Sequence, residues 1–284
     1  MKRILLVVLV LQCLLACKKT TVEPELKPDT SSLRTKDSLA LIALYKACDG
    51  PNWMLDSKLD LWSDFTRPID DEEYWRGIET GIVDGELRVT KIFLVSCKLE
   101  GKLPEEIGHL SELTWLDLSI NNLTGIVPTG ISKLTKLEHL NLGNNKFDLQ
   151  PVNFIQDMVH LKDLLLKRNS FNAITSKLDD LQCLERLDIE SNSFQELPAS
   201  IGKLRSLECI YASQNEMTGL PVEVGQLSAT LTHLILNGNK LSAFPEAIFQ
   251  LSELWYLDIS DNQISNTNEK EIRKKLPKLN IFNY

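Results

Sequence analysis

A short pattern of apolar residues recurs along most of the chain. Each copy begins with an apolar residue, places two more at the third and fifth positions after it, and places an asparagine at the eighth. The copies begin at Val89, Leu113, Leu137, Leu161, Leu184, Leu207, Leu231 and Leu254. The asparagines are Asn121, Asn145, Asn169, Asn192, Asn215, Asn239 and Asn262, and Cys97 takes this position in the first copy. Neither a helix nor an isolated strand has this spacing, so we interpret it as a stack of small repeats that bury their leucines together.

The pattern resembles the leucine-rich repeat, whose motif is L-x-x-L-x-L-x-x-N/C-x-L. Segments such as Leu99–Pro104 are similar to the plant-type subclass, which also occurs in bacterial proteins. The resemblance implies an α/β fold: a horseshoe-shaped solenoid with a parallel concave sheet, short helical or 3₁₀ turns on the convex side and a helical N-terminal cap. The third and fourth copies lack the clean proline-containing segment, so we expect irregular convex turns there. Each motif asparagine is expected to donate to and accept from backbone groups where the chain leaves its strand.

Both ends of such a stack need covering, and the sequence suggests how. We assign residues 37–87 to an N-terminal cap, residues 88–265 to eight repeats, and residues 266–284 to a C-terminal cap with a truncated ninth repeat. Asp37 is predicted to cap a helix, and Trp53, Trp62 and Trp75 make the region similar to caps of plant-type repeats. The paired cysteines common in those caps are missing, so hydrophobic burial should hold this one.

The first residues predict export. Lys2 and Arg3 precede an apolar run from Ile4 to Ala16, which is too short to span a membrane but suits a signal peptide over residues 1–16. Leu14–Cys17 resembles the lipobox of bacterial lipoproteins, which implies that Cys17 carries lipid such as palmitate and that residues 17–36 form a flexible tether. The protein would then be anchored at a bacterial membrane, with the outer membrane or cell surface as the expected place. A plain secreted protein is the alternative.

Composition and motifs argue against several classes of function. A net charge of -8 and a pI near 5.2 disfavour nucleic acid as a partner. The later cysteines have no disulfide or zinc-site spacing, and no nucleophile, histidine and acid or phosphate-binding loop is recognisable. Cys209 and His233 fall on adjacent strands, which we interpret as chance. We therefore expect no catalytic activity, metal or cofactor.

Outward positions on the concave sheet are the candidate ligand site. One group there contains Phe93 and Trp115, another contains Tyr211, His233, Ile235 and Tyr256, and charged residues lie between them. The candidate ligand-binding residues are Phe93, Trp115, Asp117, His139, Asp163, Leu165, Arg186, Asp188, Tyr211, His233, Ile235 and Tyr256. Exposed aromatic residues and arginine are typical of protein recognition, so we predict a protein ligand. A glycan ligand, or a scaffold with no ligand of its own, are the alternatives.

Overall fold

The computed structural model describes residues 36–54, 75–265 and 268–284. The predicted signal peptide, Cys17 and nearly all of the predicted tether lie outside these residues, as does Trp62. The strands are β1 (Ile78–Val83), β2 (Glu86–Phe93), β3 (Glu100–Lys102), β4 (Trp115–Asp117), β5 (Asn122–Gly125), β6 (His139–Asn141), β7 (Lys146–Phe147), β8 (Gln150–Val152), β9 (Asp163–Leu165), β10 (Phe171–Ile174), β11 (Arg186–Asp188), β12 (Cys209–Tyr211), β13 (His233–Ile235), β14 (Tyr256–Asp258) and β15 (Ile281–Asn283). The α-helices are α1 (Lys36–Ala47) and α2 (Glu269–Lys275).

Within the described residues, ten strands form one continuous sheet in the order β1-β2-β4-β6-β9-β11-β12-β13-β14-β15. β1 and β2 are antiparallel, and every later pair of neighbours is parallel. The central leucine of each repeat strand pairs in register with that of the next, as Leu116 does with Leu140 and Leu140 with Leu164. All three of these leucines are fully buried. The predicted leucine-rich repeat solenoid is therefore confirmed.

Short 3₁₀ helices connect most repeats on the convex side. They span Glu105–His109, Thr129–Lys133, Ala199–Lys203, Val222–Leu227 and Glu246–Gln250, and a proline precedes each. Proline suits this place because its fixed φ favours the start of a helical turn and its missing N–H is not needed there. Residues 137–183, which form the third and fourth copies, contain turns and the strands β6 to β10 but no 3₁₀ helix. This agrees with the expected irregular turns.

The helix α1 packs over the first repeat through a buried carboxylate. Asp37 lies in the first turn of α1, not before it, so its predicted role as a cap is wrong. Its two carboxylate oxygens accept hydrogen bonds from Arg88 at 2.9 and 3.0 Å, and one also accepts from the backbone N–H of Val89 at 2.8 Å. The indoles of Trp53 and Trp75 are almost fully buried beside this helix and the first repeats. A buried ion pair and apolar packing thus fasten the cap, and none of the four described cysteines forms a disulfide.

Two features of the fold were not predicted. β1 and β2 form a hairpin whose turn contains Asp84 and Gly85, both with positive φ. On the flank of the solenoid, β3, β5 and β7 form a second parallel sheet, and β8 and β10 form a third. At the other end, β15 pairs in parallel with β14 and closes the sheet.

Candidate functional site

Two columns of outward side chains run across the concave sheet. The first column contains Lys91, Trp115, His139, Asp163, Arg186, Cys209, His233 and Tyr256. The second column contains Phe93, Asp117, Asn141, Leu165, Asp188, Tyr211, Ile235 and Asp258. Each member pairs in register with the next because the repeats have nearly equal lengths. All twelve candidate ligand-binding residues thus lie on one face of one sheet.

Rings at the N-terminal end of the concave face stack on one another. The ring centroids of Phe93 and Trp115 are 5.7 Å apart, and those of Trp115 and His139 are 3.7 Å apart with planes within 10° of parallel. Phe93 and Trp115 are half-buried, so one side of this stack faces the concavity. The sequence grouped Phe93 with Trp115, and the structure adds His139 to the group.

An ion-pair chain continues from this stack. His139 Nδ1 lies 3.1 Å from one carboxylate oxygen of Asp163, and Arg186 Nη2 lies 2.6 Å from the other. His139 and Asp163 lie in the middle of this row of contacts, and neighbouring side chains cover them. Each is only 6% exposed. Asp117 is likewise buried, with hydrogen bonds from Ser119 and Asn141. The expectation that all twelve candidates face solvent is therefore wrong for these three residues, because strands this close let large side chains cover small polar ones.

Two buried ring nitrogens of the stack have no hydrogen-bond partner among the described residues. They are the indole Nε1 of Trp115 and the imidazole Nε2 of His139. Unpaired buried polar atoms are uncommon in folded proteins and call for an explanation.

A second group lies at the C-terminal end of the concave face. The rings of His233 and Tyr256 stack with centroids 6.0 Å apart. The ring centroids of Trp255 and His233 are 5.6 Å apart. The sequence reasoning missed Trp255, although an aromatic residue beside the first column was a signal for it. Burial lowers the pKa of His233, whose Nδ1 lies 2.8 Å from the hydroxyl of Thr232. His233 is thus held mostly in its neutral form near neutral pH.

Tyr211, which the sequence placed in the second group, and Cys209 lie on β12, between the rings of His233 and Tyr256 on one side and Arg186 on the other. Burial raises the pKa of the Cys209 thiol and of the Tyr211 phenol. Cys209 pairs in register with His233, but no group of three or more His, Cys, Asp or Glu residues in the described ranges is arranged to hold a metal ion. A neutral thiol and phenol offer hydrogen bonds and apolar contact to a ligand.

The motif asparagines form a ladder beneath the concave face. Asn145 is representative: its Nδ2 donates to the carbonyls of Leu118 and Leu142 at 3.0 Å, and its Oδ1 accepts from the N–H of Leu123 at 3.0 Å. Equivalent bonds involve Asn121, Asn169, Asn192, Asn215, Asn239 and Asn262. Each asparagine joins its own repeat to the one before it, so the ladder fixes the spacing of the outward columns.

Comparison with known proteins agrees with this architecture. A model described as leucine-rich repeat region matches residues 140–282, and one described as leucine rich repeat matches residues 88–147. The chain therefore belongs to the leucine-rich repeat family.

Similar proteins come from plants and from a bacterium. Receptor-like kinase TMK2 of Arabidopsis thaliana is 29% identical over 161 residues, which are 56% of this chain and 16% of TMK2. The structure of the plant peptide hormone receptor RGFR1 in complex with RGF2 has a TM-score of 0.58 and 26% identity, covering 73% of this chain and 40% of that one. A leucine-rich repeat protein of Leptospira interrogans has a TM-score of 0.54 and 32% identity, covering 68% of this chain and 54% of that one. This chain thus spans only a small part of TMK2 and about half or less of the two structures.

Proposed function

We propose that the chain is a non-catalytic binding module that recognises a peptide or protein ligand on its concave face. The observation that carries this proposal is the set of half-buried aromatic and apolar side chains in the two outward columns, namely Phe93, Trp115, Leu165, Tyr211, His233, Ile235 and Tyr256. These side chains lie outside the continuous core that the inward leucines form. Aromatic side chains of this kind dominate the binding energy of many protein interfaces.

The comparisons support this class of function. RGFR1, which shares the fold and 26% of aligned residues, is named as a peptide hormone receptor. TMK2 is named as a receptor-like kinase, and this chain matches only a small part of it. The chain's own arrangement favours recognition over chemistry, because its buried acid Asp163 is already held by His139 and Arg186.

Export with a lipid anchor is the second part of the proposal. It depends on the sequence Leu14–Cys17 and on the apolar run before it, which lie outside the described residues. None of the described helices is long and apolar enough to cross a membrane.

The anchor can be tested by expressing the full chain and a Cys17→Ala variant in a bacterium. We expect the wild-type chain to sediment with membranes and to yield an N-terminal peptide whose mass includes acyl chains on Cys17. The variant should lose the acyl mass and leave the membrane fraction. An unmodified Cys17 in the wild-type chain would contradict the anchor without affecting the proposed binding face.

The binding face can be tested with a random peptide library and a panel of purified extracellular proteins. Trp115→Ala and Tyr211→Ala should each weaken binding at least tenfold, whereas Val222→Ala on the convex side should not. Val222 is the matched control because it is 73% exposed and lies in the convex 3₁₀ helix Val222–Leu227. Unchanged affinity in both concave variants, with intact folding, would exclude this face.

A glycan ligand is the alternative, because exposed aromatic rings also stack on sugar faces. Exposing the full chain to a glycan array separates the two classes. Binding to glycans that is lost in Trp115→Ala or Tyr211→Ala, with no peptide or protein bound, would favour the carbohydrate class. A scaffold with no ligand of its own predicts that neither probe binds.

A further inference from the structure

Three aspartates occupy the same register position in the second column. Asp117, Asp188 and Asp258 each point from a concave strand, and each accepts a hydrogen bond from the backbone N–H two residues later. These bonds measure 2.9, 3.1 and 3.1 Å. The three residues are thus equivalent in backbone and orientation, and any difference between them comes from their neighbours.

The neighbours satisfy two of these carboxylates but not the third. The second oxygen of Asp117 accepts from Asn141 at 3.1 Å, and that of Asp258 accepts from Asn283 at 2.8 Å. Both aspartates also accept from the hydroxyl of a serine two residues later at 2.6 Å.

Asp188 has none of these partners. Leu165 and Tyr211 flank it in register, and the residue two positions later is Glu190 instead of a serine. Within the described ranges its second oxygen therefore has no hydrogen-bond partner, although Asp188 is more than half buried. The described residues therefore leave one oxygen of this carboxylate without a hydrogen-bond donor.

Asp188 forms no ion pair with any base in the described residues. The two columns contain one lysine and one arginine, and both are already paired: Lys91 with Glu79 at 2.9 Å and Arg186 with Asp163 at 2.6 Å. Lys167 exerts an attractive field on Asp188 but makes no ion pair with it in the described structure, and Glu190 repels it. Tyr211 faces it from β12 as a neutral group. Burial is the largest effect on this carboxyl and raises its pKa to about 6.

Charge complementarity indicates what would contact this position. A positive group would supply the missing hydrogen bond and the missing counter-charge together. The surface of Tyr211 can support a guanidinium by cation–π contact, and Leu165 can pack against an aliphatic stem on the other side. An arginine side chain has this combination of a planar cationic end and an apolar stem, and lysine has it in part.

We propose that Asp188 is the specificity-determining residue of the concave face and binds the cationic end of an arginine or lysine in a peptide ligand. The stem of that side chain would lie between Leu165 and Tyr211. This inference rests on the proposed recognition of a peptide or protein. It adds that the concave face recognises a basic side chain of that ligand. The rings at the two ends of the face then supply contact area on either side of a central charged anchor.

The test is a selection from a random peptide library displayed on phage, carried out in parallel on the full wild-type chain, Asp188→Asn and Asp157→Asn. Asp157 is the matched control because it is an exposed aspartate in the turn between β8 and β9, and its substitution changes the net charge equally. The peptide most enriched by the wild-type chain is then synthesised with its basic residue intact and with that residue replaced by glutamine. Calorimetry gives the affinities of the peptide pair for all three proteins.

We expect peptides with one recurrent arginine or lysine flanked by apolar residues. Asp188→Asn should weaken binding by 10- to 100-fold, which is the usual effect of losing a hydrogen bond between charged groups. Replacing the basic residue of the peptide should weaken binding to the wild-type chain similarly and have little further effect on Asp188→Asn. Asp157→Asn should bind as the wild-type chain does.

Two other results would overturn the inference, and they have different meanings. Enriched peptides that need Trp115 but need neither a basic residue nor Asp188 would disprove the role of Asp188 in binding a cationic side chain. The proposed function would still stand. If the wild-type chain enriches no peptide, or enriches only peptides that compete at the convex side, both the inference and recognition of peptides on this face are wrong. Circular dichroism of Asp188→Asn verifies that any lost binding is not a loss of fold.

Discussion

The imidazole ring of His139 lies face to face with the indole of Trp115, with centroids 3.7 Å apart and planes 10° from parallel. The same imidazole also contacts the carboxylate of Asp163, which Arg186 binds from the next strand. One side chain therefore joins an aromatic group to a charged group across four adjacent strands. A substitution of His139 should therefore lower the stability of the sheet and also change the shape of the concave face.

We predict that His139→Ala lowers the free energy of unfolding by about 2–4 kcal/mol. Roughly 1 kcal/mol comes from the lost ring stacking, and about 1–3 kcal/mol comes from leaving buried Asp163 with one partner fewer. Urea denaturation of the full chain measures the change. His160→Ala is the control, because His160 is exposed in the turn before β9 and should alter stability by less than about 0.5 kcal/mol. Equal stabilities for the two variants would show that the stack contributes nothing.

The repeat spacing was enough to predict the solenoid and the register of its concave columns. A period of 23 or 24 residues places Trp115 beside His139 and Asp163 beside Arg186, whatever the connecting turns do. The fold was predictable because the inward leucines allow only one stacking that buries them all. The same periodicity could not predict burial on the outward side. His139 and Asp163 are buried because their neighbours in the column are large, and this depends on side-chain conformations that the spacing does not determine.

The features that the sequence reasoning missed depend on local turns. Asp84-Gly85 is a common hairpin signal, and noting it would have predicted that β1 pairs with β2. The lateral sheets depend on short segments with no alternation of apolar residues, such as Glu100–Lys102. Asp188 was recognised as one of several charges. Its distinction from Asp117 and Asp258 becomes visible only when the partners of each carboxylate are compared.

We predict that Asn145→Leu lowers the free energy of unfolding by at least about 3 kcal/mol. The substitution leaves the buried N–H of Leu123 without a partner, which costs about 1–3 kcal/mol. It also removes one of two asparagine hydrogen bonds from each of the carbonyls of Leu118 and Leu142, at about 1 kcal/mol each. Chemical denaturation gives the value. Asn153→Leu serves as the control, because Asn153 is exposed between β8 and the following turn. A loss at Asn145 no larger than at Asn153 would mean that leucine packing alone sets the repeat spacing.

Ile120 offers a test in the stabilising direction. It has φ +58°, a conformation unfavourable for a β-branched residue, and its side chain is 55% exposed. Equivalent positions in other repeats hold Asn144, Ser191 and Asp261, which are better suited to this backbone. Ile120→Asn should therefore raise the free energy of unfolding by about 1 kcal/mol. Ile126→Asn is the control, since Ile126 is 65% exposed and does not have a positive φ; a similar gain in both variants would point to solvation instead of backbone strain.

The ionised side chain of Asp188 should lower the free energy of unfolding, so the stability of the wild-type chain should depend on pH through this residue. Its pKa is raised from 3.8 to about 6 by burial, so folding favours the protonated form. The stabilisation from that proton is complete below about pH 3.8 and is lost as the pH rises through about 6. The neutral amide of Asp188→Asn does not titrate and can still accept the hydrogen bond from the N–H of Glu190.

The variant should therefore gain stability relative to the wild-type chain between pH 4 and pH 7, by up to roughly 3 kcal/mol. Urea denaturation of both proteins at several pH values measures this difference in the free energy of unfolding. The contributions of the other titrating groups largely cancel because the two proteins share them. The difference for Asp157→Asn should stay within about 0.5 kcal/mol over the same range, because that aspartate is exposed. A pH-independent difference for Asp188→Asn would show that the carboxylate is well solvated, and the reason for expecting a cationic partner there would be removed.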